Sequence, residues 1–267
     1  MSVQTLYTAA TGMEALQQKL DVIANNLANV NTTGFKRDRA NFEDLFYRTE
    51  TVPGIQDAAG NYTPVGIQTG LGSKVQSTQA DQTQGAFQQT NQPLDVAIQG
   101  NGYLQVTDPT GQILYSRAGN LSLNANGQLV VGDATVGYLL SPAISIPQTA
   151  TSITIGADGK VSVQEAGSTT MQQVGQIQLA RFINPQGLMS LGGNLLSQSD
   201  ASGPPTQGVP GTNGIGTIQQ GSLEASNVEP VNELIDLITT QRSFELNSQA
   251  IQAGDQIMQD ITNLRRG

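Results

Sequence analysis

The sequence predicts an α+β chain in which two long terminal helices bracket an inserted antiparallel β domain. Three observations predict it. Leu6, Met13, Leu20 and Leu27 recur every seven residues near the N-terminus, and Ala9, Leu16, Ile23 and Val30 follow each of them three positions later. Leu237, Phe244, Ile251 and Met258 repeat the seven-residue spacing near the C-terminus. Between the two, from Leu94 to Val163, short alternating apolar runs are broken by turn residues, the pattern of strands joined by hairpins.

The N-terminal stripe fills both seam positions of a heptad and predicts one long helix within Ser2 to Phe35. Alone in water such a helix does not offset an ordering cost of about 1–2 kcal/mol per residue. It is therefore expected to be loosely ordered until another helix covers the stripe. The spacing also fits an amphipathic helix lying on its own domain. Gly34 is a candidate C-cap. The next segment, FKRDRANFEDLFY from Phe35 to Tyr47, reads as a short helix or an extended arm, with Phe42, Leu45, Phe46 and Tyr47 as its apolar surface. From Thr49 to Gln92 the chain is rich in Gly, Pro, Gln and Thr and reads as a connector of extended segments and turns.

Three junctions of the middle region share one design: LQVTDPTGQILYS, LSLNANGQLVV and ITIGADGKVSV. Each sets a short loop ending in Gly111, Gly127 or Gly159 between strand-like runs, as a hairpin needs where the backbone must take positive φ. Neither Asn126-Gly127 nor Asp158-Gly159 has the spaced acidic neighbours of a calcium loop. Val174 to Phe182 alternates and reads as a further strand. The prolines Pro204, Pro205 and Pro210 predict an irregular loop from Ser197 to Gly216, and Ile218 to Leu223 a last strand.

The second helix is expected to begin near Ser226, where Ser226 and Glu229 have capping-box spacing and Pro230 falls in the first turn. Its seam positions Thr240, Asn247 and Gly254 are polar or small, so one edge of the stripe reads as weak, while Leu234, Ile238, Ile257, Ile261 and Leu264 widen the apolar face. The organisation that follows is a helix in 1–34, a connector or arm in 35–80, a β domain in 81–223 and a helix in 224–267. In that layout the helices can pair with each other and with copies from other subunits.

Composition narrows the function. A net charge of -9 and a pI of about 4.3 disfavour nucleic acid and anionic membrane as partners. No run reaches membrane-spanning length, so no membrane insertion is expected, and no N-terminal segment has the form of a cleaved secretory signal. The chain has no Cys and no His. An enzyme, for example a wall hydrolase using Asp133 and Asp158, would therefore have to work with carboxylates that sit in turns without evident pairing. No catalytic, cofactor or metal site is expected. A secreted β-domain adhesin is the third reading, and it leaves both terminal stripes unexplained.

The string ANNLANVNTTGFKR, Ala24 to Arg37, places Asn25, Asn26, Asn29 and Asn31, poor helix formers, at the end of a strong helix. It closely resembles the N-terminal signature of the axial proteins of the bacterial flagellum, the rod and hook family. The stretch Glu224 to Gln259, with Ser226-Asn227-Val228, Gln241-Arg242 and Asn247, resembles that family's C-terminal signature. DVAIQGNGYLQV and YSRAGNLSLNANGQLV look like its β domain. Within the family, FKRDRANFEDLFY and the overall length are most similar to the distal rod subunits, with hook subunits and a proximal rod subunit of similar size as near alternatives.

The resemblance implies a structural subunit of the flagellar drive shaft, an open helical homopolymer that carries torque by packing and needs no cofactor. It implies proximal rod and hook subunits at the ends of the polymer and peptidoglycan and outer-membrane rings around it. It also implies export through the flagellum's own channel to the basal body, between periplasm and outer membrane. On this reading the assembly seam is Leu6, Met13, Leu16, Leu20, Ile23, Leu27 and Val30 with Leu237, Phe244, Ile251 and Met258. Phe42, Leu45, Phe46 and Tyr47 form a candidate stiffening arm.

Overall fold

In a computed structural model, residues 3–54, 65–135, 137–168 and 170–264 are described. Ser2, the distal part of the predicted arm from residue 55 to 60, and the side chain of Ile261 lie outside them. The chain divides into two units: Met1–Leu27, Asp38–Gln79 and Glu229–Gly267 form the first, Ala28–Arg37 and Ala80–Val228 the second. It therefore passes between units four times.

The first unit holds the helices. α1 spans Val3–Ala28 and α2 spans Pro230–Leu264. α1 stops before the predicted end, and the chain then enters a turn in which the Asn29 carbonyl accepts from Thr32 N–H at 3.1 Å and the Asn29 side chain from Thr32 Oγ1 at 3.1 Å. Gly34 is thus six residues past the helix and does not cap it. Its φ of +70° serves a close approach, since a Cβ there would lie 2.8 Å from the Arg117 carbonyl carbon. α2 starts four residues later than Ser226, with Pro230 at its first position, where a missing N–H costs nothing. Ser226 instead accepts a local bond from Val228 N–H at 3.3 Å.

The arm of the first unit is a paired ribbon. β1 (Asp38–Asp44) pairs with β4 (Ser73–Ala80), and β2 (Tyr47–Thr51) pairs antiparallel with β3 (Ile67–Gly70). Leu45 N–H to Gly72 O (2.9 Å) and Leu71 N–H to Phe46 O (3.1 Å) carry the ladder across the break. The short-helix option for Phe35 to Tyr47 is thereby overturned: from Asp38 onward the segment is strand, paired across the ribbon.

The second unit is the β domain. Its strands are β5 (Phe87–Gln89), β6 (Val96–Gln99), β7 (Tyr103–Thr107), β8 (Ile113–Ser116), β9 (Leu121–Leu123), β10 (Leu129–Val131), β11 (Tyr138–Leu140), β12 (Ala150–Ile155), β13 (Lys160–Glu165) and β14 (Met171–Gln176). They continue with β15 (Leu179–Arg181), β16 (Met189–Gly192), β17 (Leu195–Ser197), β18 (Thr206–Gly208), β19 (Thr217–Gln220) and β20 (Ser222–Glu224). The largest sheet runs β16-β17-β8-β7-β11-β10-β9, with β15 joining β7 to β18; β12, β13 and β14 form a meander. β6 pairs with β19 and β5 with β20.

The three Gly-ended junctions are hairpins, β7-β8, β9-β10 and β12-β13, and they close alike. Gly111, Gly127 and Gly159, with φ of +85°, +74° and +78°, each donate to the carbonyl three residues back. This is a tight turn followed by a left-handed residue, the geometry Gly fits without strain. The core beneath them includes Ile98, Leu104, Val106, Leu129, Leu140, Ile144, Val161, Ile177 and Leu179, each at most 2 % exposed. Burial of each such side chain is worth about 1.5–3 kcal/mol, so this unit carries a core of its own. The run Val174 to Phe182 divides into two strands at Ile177-Gln178, and the predicted loop Ser197 to Gly216 contributes β18.

Candidate assembly site

The helical unit is built on a seam between α1 and α2. Leu6 lies against Gly254, Gly12 against Asn247, and Asn26 against Glu233. The numbers rise along one helix as they fall along the other, so the helices run antiparallel at nearly constant register. A Cβ on Gly254 would come within 2.6 Å of Leu6 Cδ2, which makes glycine the residue that lets Leu6 seat there.

The α2 residues Glu233, Leu237, Thr240, Phe244, Asn247, Ile251 and Gly254 alternate in steps of four and three, and all are buried or half-buried. The most covered are those a hydrophobic filter passes over: Glu233, Thr240 and Gly254. The edge that reads as weak in sequence is therefore the tight one, because small and short polar side chains let the helices approach. On α1, Ile23 and Ala15 are buried, and Leu6, Met13, Leu16, Leu20 and Leu27 are half-buried. Val30 is half-buried beyond the end of the helix, in the second unit.

At the Asn26 end, one amide serves three groups. Asn26 Nδ2 donates to Asp38 O (2.8 Å) and to Glu233 Oε2 (3.2 Å), while its Oδ1 accepts from Asp38 N–H (2.9 Å). The side chain thus fixes the start of the ribbon as well as the helix pair. Burial holds the Asp38 carboxyl above its ordinary value.

The opposite face of α2 is apolar and open. Val231, Leu234, Ile235, Ile238 and Leu246 are all exposed, Ile238 at 56 %; Met258, which continues the four-three spacing past Gly254 on the seam side, is exposed at 38 %. Of the predicted arm, Phe42, Phe46 and Tyr47 are exposed and Leu45 is half-buried. The Asp44 side chain hydrogen-bonds Tyr47 and raises its phenol pKa. Glu43 pairs with Lys74 across the ribbon at 2.8 Å, an exposed ion pair of the kind worth about 0–1 kcal/mol. A groove of about 390 Å³ lined by Gly12, Ala15, Leu16, Phe42 and Asn247 opens beside the helices.

The carboxylates considered for hydrolysis are not a pair. Asp158 is held by Lys160 Nζ at 2.6 Å, which lowers its pKa, and sits in the β12-β13 turn; Asp133 follows β10 in the other sheet. Among the described residues no group of three or more His, Cys, Asp or Glu is placed to hold a metal ion. None of the described helices is long and apolar enough to cross a membrane.

The structure thus joins an antiparallel pair of long helices, drawn from both chain ends, to a chain that also builds a β unit, and comparison with known proteins assigns its class. Residues 6–36 match the family described as flagella basal body rod protein, residues 97–163 the flagellar hook protein FlgE/F/G D1 domain, and residues 219–264 the flagellar basal body rod FlgEFG protein C-terminal family. The flagellar basal-body rod protein FlgG of Caulobacter vibrioides is 48% identical over 264 residues, 98% of this chain and 100% of that protein. FlgG of Borreliella burgdorferi is 42% identical over 99% of each chain, and FlgG of Bacillus subtilis is 40% identical over 99% of this chain and 100% of its own. The chain belongs to the FlgG family of flagellar basal-body rod proteins and is a structural protein, not an enzyme.

Proposed function

We propose that this chain is the structural subunit of the distal rod, polymerising into a rigid helical drive shaft that transmits motor torque to the hook. What supports the reading, beyond the full-length likeness to FlgG proteins, is the two-sidedness of α2: one face is spent on α1, and the other leaves Val231, Leu234, Ile235 and Ile238 uncovered. Each such side chain gains about 1.5–3 kcal/mol when another copy covers it. Repeated head-to-tail contacts that do not close give an open helical polymer, and the terminal helices of successive copies then pack into a coiled-coil-like core.

On this reading proximal rod and hook subunits adjoin the polymer's ends and the peptidoglycan and outer-membrane ring proteins surround it. The subunit reaches the basal body, between periplasm and outer membrane, without a cleaved signal. The ribbon is the stiffening arm: Phe42, Leu45, Phe46 and Tyr47 seat on a neighbouring copy and oppose the sliding that bending requires. The test is to remove the chain from its cells, restore it from a plasmid, and image purified basal bodies by electron microscopy. Rods that end short of the outer membrane without the chain, and extend with it, are the expected result; full-length rods in its absence overturn the proposal.

A further inference from the structure

The β unit contains a buried ionic cluster. Glu224 Oε1 accepts from Lys36 Nζ (2.6 Å) and Gly85 N–H (3.1 Å), Oε2 accepts from Arg117 Nη1 (3.2 Å), and the Glu224 carbonyl accepts from Gly34 N–H (2.9 Å). The three charged side chains are 1%, 8% and 6% exposed for Glu224, Lys36 and Arg117. Arg117 also donates to Gly100 O at 2.8 Å and lies over the Tyr103 ring, 5.2 Å from its centroid.

Asn227 adds a second set of bonds among the same segments. Its Oδ1 accepts from Arg37 N–H (2.7 Å), and its Nδ2 donates to Asp81 O (2.9 Å) and Thr83 O (3.1 Å). Lys36 Nζ reaches Thr83 O at 2.8 Å, and Asp81 N–H donates to Arg37 O at 2.7 Å. The backbones pack so closely that a Cβ on Gly85 would lie 2.0 Å from Ala225 O.

The three segments joined here, 28–37, 80–86 and 224–228, are those through which the chain enters and leaves the β unit. Across all of them, Val228 is the single fully buried apolar side chain. They are therefore held to the sheet by shared polar partners more than by the apolar core. Because Glu224 and Asn227 each serve more than one segment, freeing one segment removes partners from the others.

We infer that Glu224 is the pin of a clasp that binds the three entry and exit segments of the β unit into one cooperative element, opening as a whole and separately from the sheet core. Lys36 and Arg117 come from distant parts of the sequence and share the one Glu224 carboxylate, so the clasp closes only when both signature ends of the chain are present.

Native-state hydrogen exchange on the full chain tests this, comparing it with Glu224→Gln and with the milder Lys36→Met. The amides of Gly34, Arg37, Asp81 and Gly85 are expected to exchange at least tenfold faster together in both variants, with those of Leu104, Val106 and Val161 unchanged. Lys36→Met is the sharper case, because none of these four amides is bonded to the Lys36 side chain. Acceleration confined to single amides, no acceleration, or acceleration throughout the sheet overturns the clasp. Should Glu224→Gln not fold, the Lys36→Met pattern alone decides.

Discussion

Asn26 and Glu233 meet through side chains, amide to carboxylate at 3.2 Å, with each residue 1% exposed and 207 positions between them. A polar pair buried in a helix seam fixes register at the expense of stability, since a slip separates the amide from the carboxylate it serves. The pair sits opposite the end of the seam where Leu6 meets Gly254, so the two contacts pin the helices at both ends.

Replacing Asn26 by Ala should therefore cost more than the lost volume. It deprives the Asp38 backbone of two bonds and the Glu233 carboxylate of one, and leaving such buried groups short of partners costs about 2–3 kcal/mol. Urea unfolding followed by far-ultraviolet circular dichroism reads it as a lower midpoint for the helical transition.

Two hairpin glycines separate backbone strain from crowding. A Cβ on Gly111 meets nothing within 4 Å, so Gly111→Ala should cost only the left-handed conformation, about 1–2 kcal/mol. A Cβ on Gly127 would lie 2.6 Å from Ile146 O, so Gly127→Ala should cost about 3 kcal/mol or more, and Gly127→Val more again. Thermal unfolding of the two alanine variants should rank them in that order; equal losses would mean the backbone at Ile146 yields freely.

The hairpins were legible because each short loop ends in a glycine that meets a demand for positive φ, and the helices because period seven survives in their large side chains. Position in the seam was less legible. Glu233, Thr240 and Gly254 continue the four-three spacing of Leu237, Phe244 and Ile251, yet their chemistry marks them as exposed or breaking. The arm was legible as one of two options, extended chain, but not its pairing, because Ser73-Lys74-Val75-Gln76 carries one apolar side chain among polar ones and so shows no apolar alternation to record a strand. The Glu224 cluster was hidden for another reason: its members lie 188 and 107 positions apart, and charge in sequence does not say which charges the fold will bury.

Burial lowers the Lys36 pKa below its ordinary 10.5, the hydrogen bond from its ammonium to Glu224 offsetting this only in part. Between the lowered value and 10.5 the unfolded chain holds a proton the folded chain has given up. Unfolding then takes up a proton, and the contribution of Lys36 to stability rises as pH rises through that window. Tyr103, raised above 10.0 by burial, acts with the opposite sign above that pH, so the comparison belongs below it. Denaturant midpoints measured from about pH 8 to about pH 10 should climb more in the unaltered chain than in Lys36→Met. The same slope in both would assign the pH dependence to other groups.

The exposed face of α2 separates assembly from folding. Leu20 is half-buried within the subunit, so Leu20→Asp should disturb the subunit as well as any polymer. Ile238 is 56 % exposed, and an aspartate there has water around it in the monomer, so Ile238→Asp should shift monomer stability by no more than about 0.5 kcal/mol. In a polymer that buries this face, the same carboxylate would be desolvated without a partner at every subunit, a penalty of several kcal/mol repeated along the rod. Cells carrying Ile238→Asp should thus export a folded subunit yet lack completed rods in electron micrographs and fail to swim. Rods of ordinary length in that variant would remove the Val231 to Ile238 face from the polymer interface while leaving the α1-α2 seam untouched.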